Sequence, residues 1–394
     1  MPLFYVFYHY FNLPFRAWEQ RKLGEDVNFL NGRAYSQKEL LDKGKYKVLR
    51  VGNFNTNDRW YYSDLELEEN KYANRGDLLY LWATNFGPEI WNQEKVIYHY
   101  HIWKLKIMNI NVSKQYLYTW LITDKERIKQ STNGTTMVHV TKGHIEQREF
   151  QIPPNLTEQQ KIGTFFKQLD DTIALHQRKL DTLKLMKKGL LQQMFPKRGE
   201  NIPKIRFDDF DDIWEQRILG EFLKESKIKG SNGSLAKKLT VKLWRKGVVP
   251  KEEIYTGSSA TQYYIRKTGQ FIYGKLDFLN QAFGIIPLEL DGYESTLDSP
   301  AFDIEESINE TFLLEYVSLA RFYKYQGNIA NGSRRAKRIH TDTFFEMPIP
   351  LPNSNEQQKI GTFSRQIDDL IALQQNKLEK LSSLKRFYLK NMFI

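Results

Sequence analysis

The sequence predicts an α+β protein of two mixed α/β globular domains in a pseudo-twofold arrangement, joined by two long helices packed as an antiparallel coiled coil. Two internal repeats predict this fold. Residues 158–195 and 356–393 align without a gap at an offset of 198 residues, and 22 of their 38 positions are identical. The segment WEQRKLGE at 18–25 returns as WEQRILGE at 214–221. Repeats this far apart indicate duplicated domains, because solenoid units are only about 20–50 residues long.

The repeated segments at 158–195 and 356–393 have the pattern of amphipathic helices. Their apolar residues recur mostly three, four or seven positions apart, which places them on one helix face. Thr157 and Asn355 stand at the predicted N-caps. A helix of 38 residues spans about 57 Å, and a lone helix of that length needs a partner. The sequence therefore predicts that the two helices pack on each other.

The rest of each half is predicted to mix helices and strands. Helices are expected over 113–129 and 311–325, strands after the glycine turns at Gly76 and Gly269, and a further strand over 98–107. The predicted boundaries are a first domain at 1–157, a first long helix at 158–195, a polar linker at 196–212, a second domain at 213–355 and a second long helix at 356–394.

Composition limits the partners and the cellular compartment that the chain can have. The chain has 394 residues and a formal net charge of +11, which favours a polyanionic partner such as nucleic acid. It has no cysteine, so disulfides and thiolate metal sites are excluded, in keeping with a reducing cytoplasm. The sequence has no run of about 18 or more apolar residues, so it predicts no transmembrane helix. We therefore expect a cytoplasmic protein without a membrane partner.

Common catalytic motifs are absent from the sequence. There is no phosphate-binding G-x-x-x-x-G-K-[ST] loop, no G-x-G-x-x-G dinucleotide motif and no Asn-Pro-Pro-aromatic motif of amino-methyltransferases. Three sets of carboxylate or imidazole side chains are the remaining candidates for a metal or catalytic site. His99 and His101 alternate on the predicted 98–107 strand, but without further ligands a packing role is favoured over a metal site. Glu69-Asn70-Lys71 has the E-x-K spacing of some nucleases, although a solvated surface segment is favoured.

The duplicated pairs Asp170-Asp171 and Asp368-Asp369 form the third group. Adjacent helix positions point about 100° apart, so these carboxylates are poorly arranged to share a metal. They are interpreted as helix-surface charge or as a contact to a partner subunit. The sequence thus predicts no catalytic residue, no cofactor site and no metal site in this chain.

Cations interleaved with polar and aromatic residues are the candidate DNA contacts. The most basic cluster is NGSRRAKR at 331–338, whose cations suit phosphate contacts and guanine edges. A solvated loop is the alternative reading of this cluster. The complete set of predicted DNA-binding residues is Arg33, Lys45, Lys47, Arg50, Arg59, Asn133, Thr135, Lys242, Arg245, Arg266, Ser333, Arg334, Arg335, Lys337 and Arg338.

The WEQR-LGE boxes, the EQQKIG entries into the helices and the duplicated helices resemble the specificity (S) subunit of type I restriction-modification systems, over nearly the whole chain. The first box departs from the resemblance, because LPFRAW precedes it where the second has RFDDFDDIW. The resemblance implies two target-recognition domains, each reading one half of a bipartite asymmetric sequence in double-stranded DNA. It implies that the helices set the spacer and dock two modification subunits.

The resemblance also implies the remaining partners and their cofactors. The modification subunits would methylate adenine with S-adenosylmethionine, and restriction subunits would add ATP- and Mg-dependent translocation and cleavage. This chain would itself be non-catalytic. Two alternatives remain open on the residues: a self-sufficient nuclease or methyltransferase, which would act on DNA alone, and an interaction scaffold, which would not bind DNA in a salt-sensitive way.

Overall fold

The computed structural model describes residues 17–54, 57–83, 86–131, 140–252, 258–329 and 338–393. The chain divides into two compact units. Unit 1 comprises Met1–Gln177 and Lys377–Ile394, and unit 2 comprises Arg178–Asn376. Each unit therefore contains one end of both long helices in addition to its own strands and short helices. Among the described residues, no helix is both long enough and apolar enough to cross a membrane.

Unit 1 combines ten described strands with short helices and the start of a long one. Its strands are β1 (Glu19–Lys22), β2 (Val27–Asn31), β3 (Tyr46–Leu49), β4 (Tyr61–Ser63), β5 (Tyr72–Ala73), β6 (Leu78–Leu81), β7 (Gly87–Ile90), β8 (Val96–Tyr98), β9 (Ile102–Ile107) and β10 (Glu149–Ile152). Its helices are α1 (Leu23–Asp26), α2 (Lys114–Ser131), α3 (Lys142–Glu146) and the first part of α4 (Leu156–Met194).

The strands of unit 1 form three sheets. One is antiparallel with the order β2-β9-β6-β7, and a second has the order β4-β3-β8-β5 with β3 and β8 parallel. β1 and β10 pair separately. The main core lies between the first sheet and α2, where Trp103, Tyr116 and Trp120 are buried. Phe393, at the end of the second long helix, is buried in the same core.

Unit 2 repeats this plan with different additions. Its strands are β11 (Glu215–Ile218), β12 (Leu223–Ser226), β13 (Lys229–Asn232), β14 (Leu239–Val241), β15 (Val248–Pro250), β16 (Gln262–Ile265), β17 (Phe271–Tyr273), β18 (Phe283–Ile285), β19 (Glu294–Ser295), β20 (Ala301–Ile304) and β21 (Pro348–Leu351). Its helices are α5 (Glu310–Val317), α6 (Ala320–Ile329), α7 (Thr341–Phe345) and most of α8 (Ser354–Met392).

The duplication is visible in the sheets. The antiparallel order β12-β20-β17-β18 of unit 2 matches β2-β9-β6-β7 of unit 1, and β11 pairs with β21 as β1 pairs with β10. The glycine turns occupy matching places, since Gly76 and Gly269, with φ of 92° and 80°, precede β6 and β17. The additions differ: unit 2 has a three-stranded sheet β13-β16-β19 and a β14–β15 hairpin where unit 1 has its second four-stranded sheet. The α+β prediction of two related mixed domains is confirmed.

Three sequence predictions require correction. The strand expected over 98–107 is broken, because β8 ends at Tyr98 and a turn precedes β9. The helix expected over 311–325 is two helices, α5 and α6. The predicted N-caps are two residues late: the Asn155 side-chain oxygen accepts from the Thr157 amide at 2.8 Å, and that of Asn353 accepts from the Glu356 amide at 2.9 Å. Asparagine suits this role since its side-chain oxygen satisfies an unpaired amide of the first turn.

The repeated Trp-Glu-Gln-Arg and Glu-Gln-Gln motifs contact each other inside each unit. In unit 1 the Trp18 indole donates to Glu158 Oε1 at 3.0 Å, and in unit 2 the Trp214 indole donates to Glu356 Oε2 at 3.1 Å. Both carboxylates are buried. Because a buried carboxylate needs donors, each pair fixes the start of a long helix to the start of its domain. We call these two contacts the clasps.

The glycine of each EQQKIG motif lets the helix approach its domain closely. A Cβ at Gly163 would lie 2.9 Å from Gln115, and one at Gly361 would lie 2.5 Å from Asn309 Oδ1. These distances are too short for an alanine without movement of the neighbouring chain. The repeated motifs therefore have a structural reason in each unit, namely close docking of the helix.

Within each unit the two long helices run antiparallel. In unit 1 the Phe165 ring contacts Tyr388 at 5.3 Å between centroids, and further along α4 Asp170 pairs with Lys385. In unit 2 Lys187 Nζ lies 2.6 Å from Asp368 Oδ2. Asp170 and Asp368 are 198 positions apart, and so are Lys187 and Lys385. The same ion pair between the long helices therefore occurs once in each unit. This refines the interpretation of Asp170 and Asp368, which bind the other long helix.

Candidate nucleic-acid interface

In unit 1 the structure brings four predicted DNA contacts together along the β3–β4 hairpin. The guanidinium carbons of Arg50 and Arg59 lie 4.2 and 5.0 Å from the ring centroid of Tyr61. Lys47 Nζ lies 5.5 Å from the ring of Trp60, and Lys45 Nζ lies 5.2 Å from that of Tyr46. Cations held over aromatic faces form a surface that suits both phosphates and bases. We call this surface the β3–β4 basic surface.

Both lysines of this surface already have carboxylate partners. Lys45 pairs with Glu66, and Lys47 Nζ lies 2.6 Å from Glu94 Oε1. The hydrogen bonds that the two lysines donate to these carboxylates raise the pKa of both lysines. Exposed pairs of this kind contribute little to stability because water and salt screen them, so a phosphate group can replace the carboxylate easily. Arg59 is more open, with its guanidinium 3.8 Å from Asp42 and its side chain 67% exposed.

Arg33 lies beside the hairpin, because its guanidinium carbon is 5.3 Å from the ring centroid of Tyr35, which packs in the same cluster as Tyr46 and Tyr61. A backbone bridge also joins Arg33 to His99. Its Nη2 donates to Glu39 Oε1 at 2.6 Å, and this hydrogen bond is the main cause that lowers the pKa of Glu39 to about 2. Arg33 therefore has a local carboxylate partner, as Lys45 and Lys47 do.

The two candidate metal-binding histidines lie in the turn between β8 and β9. The rings of His99 and His101 are 4.8 Å apart, and Trp82 packs edge-on against His101 at 4.9 Å. Burial, followed by His101 and Arg50, lowers the pKa of His99 to about 4. Across the described residues, no three histidine, aspartate or glutamate side chains cluster to hold a metal. The aromatic contacts support the packing interpretation.

Arg266 of unit 2 was wrongly predicted to contact DNA. It is fully buried, and its guanidinium donates to Ser295 Oγ at 2.8 Å and to the Ser226 carbonyl at 2.8 Å. Burial lowers its pKa to about 10. A side chain that is enclosed by its own domain cannot reach a DNA surface, so Arg266 is a structural residue joining β12, β16 and β19.

Arg245 also has a structural role that the sequence prediction missed. Its Nη1 and Nη2 donate to the two oxygens of Glu315 at 2.6 and 3.0 Å. Glu315 is buried and also accepts from Lys187 Nζ at 2.9 Å and Ser364 Oγ at 2.6 Å. Burial alone would raise the pKa of Glu315, but Arg245 and Lys187 lower it to about 2. The prediction of DNA contact by Arg245 is corrected to an anchor onto α5.

The remaining predicted residues are distributed as follows. Lys242 is exposed at the tip of the β14–β15 hairpin, and Arg338 is 47% exposed with its Nη1 3.5 Å from Asp298. Asn133, Thr135, Ser333, Arg334, Arg335 and Lys337 lie outside the described residues, so their assignment stays a sequence prediction.

Sequence reasoning missed Trp244, which stands beside Lys242 at the same hairpin tip. Its side chain is 55% exposed. The signal was present, because Leu243-Trp244 lies between lysines in VKLWRKG.

Comparisons with known proteins agree with this geometry. The family model described as the type I restriction modification DNA specificity domain matches residues 16–185 and again residues 214–383. The two matches start next to Trp18 and at Trp214, so the family model recognises the duplication. The chain is also 24% identical to the type I restriction enzyme MjaVIII specificity subunit of Methanocaldococcus jannaschii, over 94% of this chain and 90% of that protein.

Solved structures share the fold over almost the whole chain. The crystal structure of the type I restriction-modification system S subunit from M. genitalium has a TM-score of 0.63 at 12% identity, covering 97% of this chain and 98% of that one. A chain from a study of complex assembly and conformational transition of the type I R-M system has a TM-score of 0.56 at 14% identity, covering 96% and 99%. With the family model matching most of its length, the chain belongs to the type I restriction modification DNA specificity family, as a non-catalytic specificity subunit with two target-recognition domains.

Proposed function

We propose that each unit of this specificity subunit reads one half of a bipartite, asymmetric sequence in double-stranded DNA. The observation that carries this proposal is the duplication of one framework with different additions. Both units have the same four-stranded sheet order and the same clasp, while the second sheet of unit 1 is replaced in unit 2 by a smaller sheet and a hairpin. A shared framework with different surfaces suits two readers of different half-sites.

The β3–β4 basic surface is the proposed contact of unit 1. Its lysines and arginines would neutralise phosphates and fix the position of the domain, and side chains near them would read base edges. In unit 2 the proposed contacts are Lys242 and Arg338 together with the predicted residues at 333–337. The net charge of +11 provides the long-range attraction for this partner.

The long helices are proposed to set the spacer between the half-sites. Each has 39 residues, which corresponds to about 58 Å at 1.5 Å per residue. That length exceeds one turn of B-DNA, about 34–36 Å. Two half-sites separated by unread base pairs are therefore expected.

The same helices are proposed to dock two modification subunits. Leu175 on α4 and Leu373 on α8 are equivalent at the 198-residue offset, and both are exposed, at 58% and 53%. Apolar residues left in water at equivalent places on two helices suit two copies of one protein partner. Those modification subunits would methylate adenine with S-adenosylmethionine, and restriction subunits with ATP and Mg would complete a cytoplasmic complex.

Salt-dependent DNA binding tests the role of the β3–β4 basic surface. The complex of this chain with its modification subunits is titrated with duplex DNA at several salt concentrations. Replacing Lys47 and Arg59 by alanine should lower the slope of log K against log salt by about 2, since each phosphate contact contributes about 0.9.

Lys106→Ala is the matched control, because Lys106 is exposed on β9 outside that surface, and it should leave the slope unchanged. An unchanged slope in the double variant would remove the β3–β4 basic surface from the interface. Binding of DNA that does not depend on salt at all would favour the scaffold alternative.

A further inference from the structure

The tip of the β14–β15 hairpin, residues 242–247, presents a tryptophan to solvent. All eight tryptophans of the chain lie among the described residues, and Trp244 is the one with more than half of its side chain exposed. Leu243 beside it is 38% exposed. A large aromatic ring that stays in water does not contribute the free energy that its burial would give to the fold. The exposed ring therefore indicates a binding partner at this position.

The backbone of the tip is held in a costly conformation. Trp244 and Arg245 have φ of 58° and 56°, and Gln281, which faces them, has φ of 52°. The left-handed region is unfavourable for side chains of this size. Hydrogen bonds maintain it: the Trp244 amide donates to the Asn280 carbonyl at 2.7 Å and the Arg245 amide to the Gln281 carbonyl at 3.0 Å.

Side-chain contacts hold the tip as well. Arg245 reaches from it to the buried Glu315, which also binds Lys187 of α4 and Ser364 of α8. The ring of Trp244 is therefore presented from a fixed base, and little conformational entropy remains to be lost when it is bound.

The surroundings of the tip are positively charged. Lys242 and Lys246 flank the apolar pair and are exposed. Next to Arg245 is a crevice of about 650 Å³ lined by Lys184, Lys188 and Lys324. Its carboxylates, Glu315 and Asp368, are already paired with Arg245 and Lys187. The uncompensated charge is positive, which favours a polyanion over a neutral or basic protein surface.

We propose that the hairpin tip enters a groove of the target duplex, where Trp244 packs against bases and the flanking lysines contact phosphates. Trp244 is thereby a specificity-determining residue of unit 2. The assignment rests on the proposed function as a DNA reader. It follows from an aromatic ring on a fixed base within a basic surface, the combination by which side chains stack on or wedge between bases.

The test uses the complex with modification subunits, a duplex carrying the methylated motif of the wild-type complex, and a scrambled duplex. Trp244→Ala should weaken binding of the motif duplex about tenfold, whereas Trp244→Phe, which keeps an aromatic ring, should stay within about threefold. Leu288→Ala is the matched control, because Leu288 is a 76% exposed apolar residue of the same unit, and it should bind as wild type. Trp244→Phe should also remove the largest part of the tryptophan quenching caused by DNA.

The outcomes separate this inference from the proposed function. A wild-type complex that binds no duplex overturns both. A wild-type complex that binds its motif while Trp244→Ala binds equally well overturns only the role of Trp244. Loss of modification subunits from the Trp244→Ala complex in size-exclusion chromatography, with DNA affinity otherwise retained, would make this tip a protein contact and also overturn the inference.

Discussion

At the scale of single residues, buried carboxylates join the parts of unit 2. Glu356 is 1% exposed and accepts from Arg206 Nε and Nη2, both at 2.8 Å, in addition to Trp214. Arg206 belongs to the segment expected to be a polar linker, so that segment contributes to the packing of the helix start. A buried charge is stabilised only by its partners. Breaking the Arg206–Glu356 pair should therefore destabilise the protein more than breaking an exposed ion pair.

Arg206→Ala should destabilise unit 2 by about 3 kcal/mol, because it leaves the Glu356 carboxylate buried without its cation. Lys359→Ala is the matched control, since it removes an exposed pair with Asp209 between the same segment and the same helix, and it should leave stability almost unchanged. Native-state hydrogen exchange of the amides of α5 and β21 measures the difference. Equal effects of the two substitutions would contradict the importance of the buried pair.

His99 should make unit 1 sensitive to acid. Its pKa falls from an ordinary 6.5 to about 4 in the folded state, so below pH 6.5 the unfolded chain binds a proton that the folded chain does not. The folding free energy contributed by His99 is therefore present above pH 6.5 and is lost progressively as the pH falls toward 4.

His99→Gln should lose less thermal stability than wild type between pH 7 and pH 5. His144→Gln, at an exposed histidine of the same unit, is the control and should follow wild type. Thermal melting at a series of pH values measures this, and parallel curves for all three proteins would contradict the expectation.

The sequence could not show which of the predicted cations are exposed and which are buried. Lys242, Arg245 and Arg266 are all cations near turns, and nothing in the local sequence separates an exposed residue from an anchored or enclosed one. The distinction depends on Glu315 and Ser295, which are 70 and 29 positions away. Such distant partners are fixed by the fold and not by spacing along the chain.

At the scale of elements, the repeats predicted the long helices within two residues at each end. Apolar periodicity over many turns is a strong signal, whereas the start depends on a single capping side chain, and Asn155 and Asn353 were each two positions before the predicted cap. The short strands were harder, because the aromatic run at 98–107 suits a strand throughout and the turn at 99–101 depends on tertiary contacts such as the Arg33–His99 bridge.

Exposed leucines on the helices should matter for assembly and not for folding. Leu175→Asp and Leu373→Asp each place a charge in one of two equivalent proposed docking sites. Each single variant should retain one modification subunit and the double variant none, as measured by native mass spectrometry. Thr182→Asp, at an exposed polar position of α4, should retain both. Two subunits bound to the double variant would contradict docking at these positions.

The helices should also fix the distance between half-sites. Four residues inserted near the middle of α4 add about 6 Å at 1.5 Å per residue, which is one or two base pairs of spacer. The methylated motif should keep both half-sites and gain that spacing. Substitution of four residues without insertion at the same place is the control, and an unchanged spacer in the insertion variant would contradict this role of the helices.

At the scale of the whole molecule, one framework occurs twice, and the largest differences between the units lie in the sheets and the hairpin added to it. The clasps, the ion pairs between the long helices and the four-stranded sheets repeat, and the repeated sequence lies in the clasps and helices. The added sheets and the β14–β15 hairpin differ between the units in strand number and strand order. Such a division allows the reading surfaces to change while the framework that holds them stays constant.

Mapping of methylated adenines tests the central claim most directly. The chain is expressed with the modification subunit encoded beside it in a host without other adenine methylation. We predict new methylation in a single bipartite motif with two different half-sites and a gap of fixed length. Methylation in a continuous motif, or none with both proteins expressed and assembled, would contradict reading of a divided target by the two units.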